Sequence, residues 1–331
     1  MCMKTILVTG GAGYIGAHTV NLLKNKGNNV VVVDSFRESR NNIINSPLVS
    51  YYEVDLRNKE VLLDIFVKTK PDIVFHFAAL ASVPDSMVRP FEYYDTNLVG
   101  GLNLLECMRE TGVTRIVFSS SASTYGEPQC EVITEDHQQL PTNSYGYTKL
   151  VFENILKDYN RAYHFSSVSL RYFCASGCDY DAGIGEYHTP ETHVIPCIVE
   201  TLLGKRKKFF VYGDDFGTED GTGVRDYIHV NDLANAHVCA MMKLMGGEII
   251  CKQYNLGINK GFSVLELIRV AEAITGQKIP YEVKGRRSGD PSRLIADSTK
   301  AQKELEWTPK FIDVKDMVES TYLSFKNRPI K

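Results

Sequence analysis

The sequence predicts an α/β chain built on a doubly wound, mostly parallel sheet, with a second, smaller α/β part towards its C-terminal end. Three observations carry this. Apolar, β-branched runs alternate with segments of helical spacing, the first run enters a glycine-rich turn, and the second ends on an acid. Strands that are apolar on both faces need cover on both sides, and alternation with helices supplies it when the strands lie parallel.

In chain order, residues 6–9, 30–34, 49–54, 73–77, 116–119 and 168–172 read as strands. Residues 18–26, 59–70 and 98–110 read as helices. After Tyr172 the rhythm becomes loop-rich, with Gly177, Gly183, Gly185, Pro190 and Pro196. The expected division is therefore 1–173 for a nucleotide-binding domain and 174–331 for a smaller substrate-binding domain. Residues 225–245 return to a strand-like run and a helix, so part of 225–260 is expected to pack back on the first domain.

The 331 residues are 44% hydrophobic and 23% charged, with a formal net charge of -3, which offers nucleic acid no general attraction. No apolar run approaches the ~20 residues that a bilayer requires, and the opening apolar stretch is too short for a signal segment. Eight cysteines, Cys2, Cys107, Cys130, Cys174, Cys178, Cys197, Cys239 and Cys251, lack CxxC pairs and zinc-like histidine spacing. A cytoplasmic protein with reduced thiols and no metal is the expectation.

The first strand runs into Gly10-Gly11-Ala12-Gly13-Tyr14-Ile15-Gly16 and then into a helix. Gly10 and Gly13 allow a tight turn and close approach of a pyrophosphate to a helix N-terminus, and Gly16 allows strand and helix to pack closely. Asp34 ends the second strand, placed to accept hydrogen bonds from the adenosine ribose. This is a Rossmann arrangement. An acid at that position repels a 2′-phosphate and favours NAD over NADP; Arg37 and Arg40 are the nearby cations that point the other way. Asp55, at the end of the third strand, suits either an adenine contact or a helix cap near Asn58.

A second constellation lies downstream. The fifth strand ends in Ser119-Ser120-Ser121, and strand C-termini in such sheets face the ligand crevice. Tyr145 and Lys149 follow at i and i+4 on one helix face. A free tyrosine has a pKa of about 10, but a neighbouring ammonium and a cationic nicotinamide favour the phenolate. Tyr145 is then the expected base for a hydroxyl proton while hydride leaves the same carbon, with Ser121 bonded to that oxygen.

These runs make the chain resemble the extended short-chain dehydrogenase/reductase family and, within it, the 4-epimerases of UDP-hexoses. The likeness spans nearly the whole chain and also rests on His76-Phe77-Ala78-Ala79, Tyr93-Tyr94-Asp95-Thr96-Asn97, Leu170-Arg171-Tyr172-Phe173, Arg286-Arg287-Ser288-Gly289-Asp290 and residues 218–230. The last of these runs, Thr218 through Val230, is the most specific. The resemblance implies NAD-dependent oxidation at sugar C4, turning of a 4-keto sugar and hydride return to its other face, interconverting UDP-galactose and UDP-glucose. It assigns Tyr145 as base, Ser121 as hydroxyl partner and Lys149 as ligand of the nicotinamide ribose. The remaining cofactor contacts fall on Tyr14, Ile15, Leu56, Phe77, Ala78, Ala79, Asn97, Ser119 and Tyr172. Substrate contacts fall on Cys174, His193, Val211, Tyr212, Arg225, Arg287, Asp290 and Leu294.

Four departures from the family pattern stand out. Cys174 replaces a usual asparagine, Ala81 a lysine found in some members, and Pro84-Asp85-Ser86 a glycine-glutamate-serine stretch; Leu294, intermediate in bulk, occupies a gate for N-acetyl groups. For Arg225 the residue-level alternative is an ion pair with Asp226 or Asp220. The competing functions are a 4-epimerase of another UDP-sugar (N-acetylhexosamine, pentose or uronic acid) and a non-catalytic NAD sensor. A 4,6-dehydratase would need an Asp-Glu pair that Ser121-Ala122-Ser123-Thr124-Tyr125 lacks. A homodimer formed through residues 98–110 and 152–162 is the expected assembly.

Overall fold

The computed structural model describes residues 3–37, 40–188, 190–248, 250–287 and 290–327. Cys2, Ser288 and Gly289, named above, lie outside them. The first half runs β1 (Thr5–Thr9), α1 (Tyr14–Asn25), β2 (Asn29–Asp34), β3 (Val49–Glu53), α2 (Lys59–Thr69), β4 (Ile73–His76), α3 (Val83–Val88), α4 (Pro90–Tyr94), α5 (Gly100–Thr111), β5 (Arg115–Ser121), β6 (Val132–Ile133), α6 (Ser144–Tyr163) and β7 (Ser166–Tyr172). The second runs β8 (Cys174–Ser176), α7 (Val194–Leu202), β9 (Phe209–Tyr212), β10 (Val224–Arg225), β11 (Tyr227–His229), α8 (Val230–Met245), β12 (Cys251–Leu256), β13 (Phe262–Ser263), α9 (Val264–Thr275), β14 (Tyr281–Lys284), β15 (Arg293–Ala296), α10 (Thr299–Glu304) and α11 (Val314–Lys326).

Seven parallel strands form the main sheet, in the order β12-β7-β5-β4-β1-β2-β3. Alternation along β1 sets the two layers: Ile6 and Val8 pack with Val20, Leu233 and Ala240 beneath α1 and α8, whereas Leu7 packs with Leu62, Leu104 and Phe152 beneath α2, α5 and α6. The doubly wound sheet expected from the alternating runs is therefore present. The chain steps outward from β1 to β2 and β3, then returns to β4 on the other side of β1. That reversal opens a crevice at the strand C-termini. The last strand, β12, comes from beyond residue 250 and pairs with β7 from Cys251↔Ser167 to Leu256↔Tyr172. The remaining strands form a four-stranded sheet, β13-β10-β15-β6, and two pairs, β11-β8 and β14-β9. Beside them α7, α9 and α11 share a core of Ile195, Ile198, Leu267, Ile268, Met317 and Val318.

Local chemistry sets the helix starts that matter for the crevice. Asn143 caps α6 by accepting from Gly146 N at 2.8 Å, and Asn58 caps α2 by accepting from Val61 N at 3.3 Å, as side-chain oxygens at N-caps do. Residues 95–99 form a π-helical turn before α5, where helical spacing alone predicts a continuous helix from 98. No helix among the described residues is long and apolar enough to cross a membrane.

One buried ion pair joins α6 to the sheet. Glu153 and Arg171 have side chains 0% and 3% exposed. Arg171 donates to Glu153 through Nε at 2.9 Å and Nη2 at 2.6 Å, and Ser120 Oγ donates to the same carboxylate at 2.5 Å. Arg171 Nη1 donates on to Tyr125 Oη at 2.8 Å, which donates to Asn255 Oδ1 at 2.6 Å. Strands β5, β7 and β12 and helix α6 thus share one satisfied network. Removing one partner strands a buried charge, so Glu153→Ala is expected to cost ~3–5 kcal/mol in urea denaturation; a loss below about 1 kcal/mol would show that the pair does not hold α6 in place.

Candidate active site

The glycine turn is shaped so that nothing larger fits. Gly10 has φ +70°, and a Cβ there would lie 2.5 Å from Ala78 N; a Cβ on Gly16 would lie 2.2 Å from Gly10 O. Ala78 N also donates to Thr9 O at 3.2 Å, so Phe77 and Ala78, just past β4, press on the turn. Gly13 is the N-cap of α1 and provides no side-chain cap. The N–H groups of Tyr14, Ile15 and Gly16 therefore open the helix at its positive end, as an anion requires. Asp34 accepts from Ala12 N at 3.0 Å and Phe36 N at 2.8 Å, which fixes its carboxylate against the turn. Arg37 pairs with Glu92 at 3.3 Å and Arg40 with Glu53 at 2.6 Å. Both cations that argued for a 2′-phosphate are thus balanced by acids, and the cradle fits NAD.

Asp55 is not the helix cap, and its carboxylate is engaged by a neighbour. Its carboxylate accepts from Arg57 N and Nε at 3.0 Å and Nη2 at 2.6 Å, and that hydrogen bonding holds it below the usual carboxylate range. The helix cap is Asn58. Leu56 is buried, and its carbonyl accepts from Asn103 Nδ2 at 3.1 Å. Asn97, in the π-helical turn, donates to Leu80 O and Thr148 Oγ1 at 3.0 Å each and accepts from Leu80 N at 2.8 Å. Its amide latches the β4–α3 loop to α6.

The fifth-strand serines and the start of α6 meet at the crevice. Lys149 is buried and donates to Ser119 O at 2.7 Å, with Nζ 5.6 Å from the centre of the Tyr145 ring. Ser121 lies beside the Tyr145 phenol; burial pushes that phenol up to about 12, and the Ser121 hydroxyl opposes the rise. Burial pushes Lys149 down to about 7, with Glu153 opposing. In the chain alone burial outweighs the ammonium that the sequence offered as the phenolate's support, because that ammonium engages a carbonyl rather than the phenol. Tyr172 is buried beside them, near Ser119.

The structure adds His237, which the sequence reading missed. Its Nδ1 lies 2.8 Å from Leu233 O, an acceptor only, so Nδ1 carries the proton and Nε2 accepts from Tyr172 Oη at 3.1 Å. Its ring packs 4.6 Å from that of Phe77. No local signal marked it, since it sits one helical face among apolar residues of α8.

The residues assigned to the substrate gather on the smaller sheets. Strand pairing sets Arg225 beside Leu294 and Cys174 beside Tyr227. Arg225 is ion-paired with Asp290, not with Asp220 or Asp226 as a surface pair would have been. Asp226 instead accepts backbone N–H bonds from Ile258, Asn259 and Ala296 at 2.8–3.2 Å. Burial pushes the Cys174 thiol up to about 11, so it remains a neutral, weak donor. Leu294 packs against a small buried cluster of Ala122, Tyr125, Ile133, Phe173 and Ala296. Arg287 stacks 3.8 Å over the Tyr212 ring. Val211 is a buried core side chain, so only its backbone faces a ligand. His193, the N-cap of α7, has Nδ1 2.7 Å from Glu186 and 2.9 Å from Glu191, two acids the sequence reading passed over.

The NAD dependent epimerase/dehydratase family matches residues 6–257, from β1 through the end of the large sheet. The chain belongs to that family. It is 45% identical to the UDP-glucose 4-epimerase of Halalkalibacterium halodurans, over 98% of this chain and 96% of that protein. The structure superposes on the UDP-glucose 4-epimerase of Brucella ovis in complex with NAD with a TM-score of 0.93, at 39% identity and covering 97% and 98% of the two chains. For the enzyme of Bifidobacterium longum in complex with NAD+ and UDP the TM-score is 0.89, at 40% identity and covering 98% and 99%. NAD is the cofactor of the epimerase/dehydratase family, and the glycine cradle is where this member has room for its pyrophosphate. A Gly16→Ala chain is accordingly expected to emerge from purification without bound NAD and to bind added NAD at least ~10-fold more weakly, a loss of about 1.4 kcal/mol. Equal binding by calorimetry would show that the turn is not the cradle.

Proposed function

We propose that the chain is a UDP-glucose 4-epimerase, interconverting UDP-galactose and UDP-glucose by transient oxidation at sugar C4. The observation that carries this reading is the buried Tyr145 phenol beside Ser121, with Lys149 one turn along α6 and held by Ser119 O, in a chain whose glycine turn fits NAD. Relatives that bear this name match from end to end.

Ser121 and Tyr145 hold the C4 hydroxyl between them. Tyr145 takes its proton as the carbon–hydrogen bond breaks and gives that proton back when the bond reforms on the other face. NAD supplies the hydride acceptor and then the donor, and its positive ring favours the phenolate that burial alone disfavours. Lys149, fixed by Ser119 O, binds the nicotinamide ribose. Arg225 and Arg287 bind the diphosphate, where guanidinium groups suit phosphate oxygens. UDP is thereby anchored while the 4-keto sugar turns over in a pocket bounded by Cys174 and Leu294. Net oxidation is zero, so no external reductant is consumed.

The assembly we propose is a homodimer. Helices α5 and α6, tied to each other by Tyr159 Oη donating to Glu106 at 2.7 Å, expose Leu102, Tyr147 and Val151. Pairing with the same face of a second copy makes a four-helix contact that buries them. A cytoplasmic location fits the free thiols of Cys107, Cys130, Cys174, Cys197, Cys239 and Cys251.

Incubated with UDP-galactose and no added NAD, the purified protein is expected to yield an equilibrium mixture with UDP-glucose, resolved by ion-exchange chromatography. Tyr145→Phe is expected to lower the rate by ~10²–10⁴ while keeping the cofactor. Unchanged turnover in that variant would overturn the assignment of the base, and no turnover by the wild type would leave an NAD-binding protein without this chemistry. For the assembly, Leu102→Asp with Val151→Asp is expected to convert a dimer into a monomer in analytical ultracentrifugation; a dimer that persists places the contact elsewhere.

A further inference from the structure

We propose that Glu186, His188, Glu191 and His193 form a binding site for one divalent ion of the zinc class, which clips the loop after β8 to the start of α7. The four residues follow one another as Glu-x-His-x-x-Glu-x-His, and their ligand atoms all lie within 4.8 Å of one another. A single carboxylate oxygen, Glu186 Oε1, lies 2.7 Å from His193 Nδ1 and 3.1 Å from His188 Nδ1. Glu191 closes the set, 2.9 Å from His193 Nδ1 and 3.8 Å from His188 Nδ1. A tetrahedral ion with bonds of about 2.0–2.1 Å separates its ligands by roughly 3.3 Å, so small side-chain adjustments admit it. Mixed imidazole and carboxylate donors select zinc and its neighbours over magnesium or calcium, which prefer oxygen alone.

Charge and rigidity favour the same reading. Both glutamate side chains are 3% exposed, and two buried carboxylates require two positive charges. One divalent ion supplies that charge. The scaffold is already fixed around the cluster. Glu191 accepts from Thr192 N at 2.8 Å and His193 N at 2.9 Å, Arg206 donates to Glu191 O at 2.5 Å, and Asn42 exchanges hydrogen bonds with Gly185 at 2.9 and 3.1 Å. Tyr14, at the start of α1, donates to Gly177 O at 2.5 Å at the far end of the same loop.

The test uses the full-length, NAD-loaded protein after dialysis against a chelator, titrated with zinc and, in parallel, magnesium. The expected result is one zinc per chain, a rise in Tm that magnesium does not produce, and binding weakened at least ~10-fold in His188→Gln. Zinc bound no more tightly than magnesium, or equally by wild type and His188→Gln, would overturn the proposal. Should that variant not fold, cobalt bound to the wild type decides: an intense tetrahedral visible spectrum supports the site, and a weak octahedral one contradicts it.

Discussion

The junction between the end of β5 and the first turns of α6 determines the rest of the site, and a buried ion pair holds that junction. Glu153 lies one helical turn after Lys149 and receives Ser120 from β5 and Arg171 from β7. Two charges removed from water are costly unless paired and fully hydrogen-bonded. Here Ser120, Tyr125 and Asn255 complete the pairing, so the penalty turns into geometric selectivity: other placements of α6 separate the charges. With α6 fixed, Lys149 reaches Ser119 O and Tyr145 meets Ser121.

The same junction sets the electrostatics. Burial works against charge on both Tyr145 and Lys149, raising the first and lowering the second. A neutral phenol in contact with a serine is a resting arrangement that becomes a base only when positive charge arrives beside it. The crevice between β1 and β4 is where the topology admits such a charge, which a dinucleotide with its phosphates over the N-terminus of α1 would carry. The proposed chemistry is thereby tied to cofactor occupancy, and a hydroxyl meeting the site without NAD finds no base.

Much of this was legible in the sequence because its signals are local. The glycine turn, the acid ending β2, the serine-ended strand and the i, i+4 spacing of Tyr145 and Lys149 each lie within one element, and a resemblance covering nearly the whole chain linked them. What escaped depends on partners distant along the chain. Nothing near Glu153 announces Arg171, nothing near Asn97 announces Thr148, and His237 becomes notable only when α8 lies over Tyr172. The Arg57 bonds to Asp55 were not foreseen either, and the cap of α2 falls on Asn58 rather than on Asp55. Likewise the Arg225 pairing with Asp290 follows from β10 and β15 lying side by side, a register that no local pattern encodes.

The central claim is that the hydrogen on sugar C4 leaves and returns as hydride inside one closed site, while Tyr145 handles only the proton on oxygen. The most direct measurement follows UDP-galactose deuterated at C4 through the reaction in ordinary water, with NMR of the UDP-glucose formed. The account predicts that deuterium stays on C4 with its configuration inverted. Deuterium lost to solvent would mean that carbon is deprotonated rather than oxidised, and would contradict it.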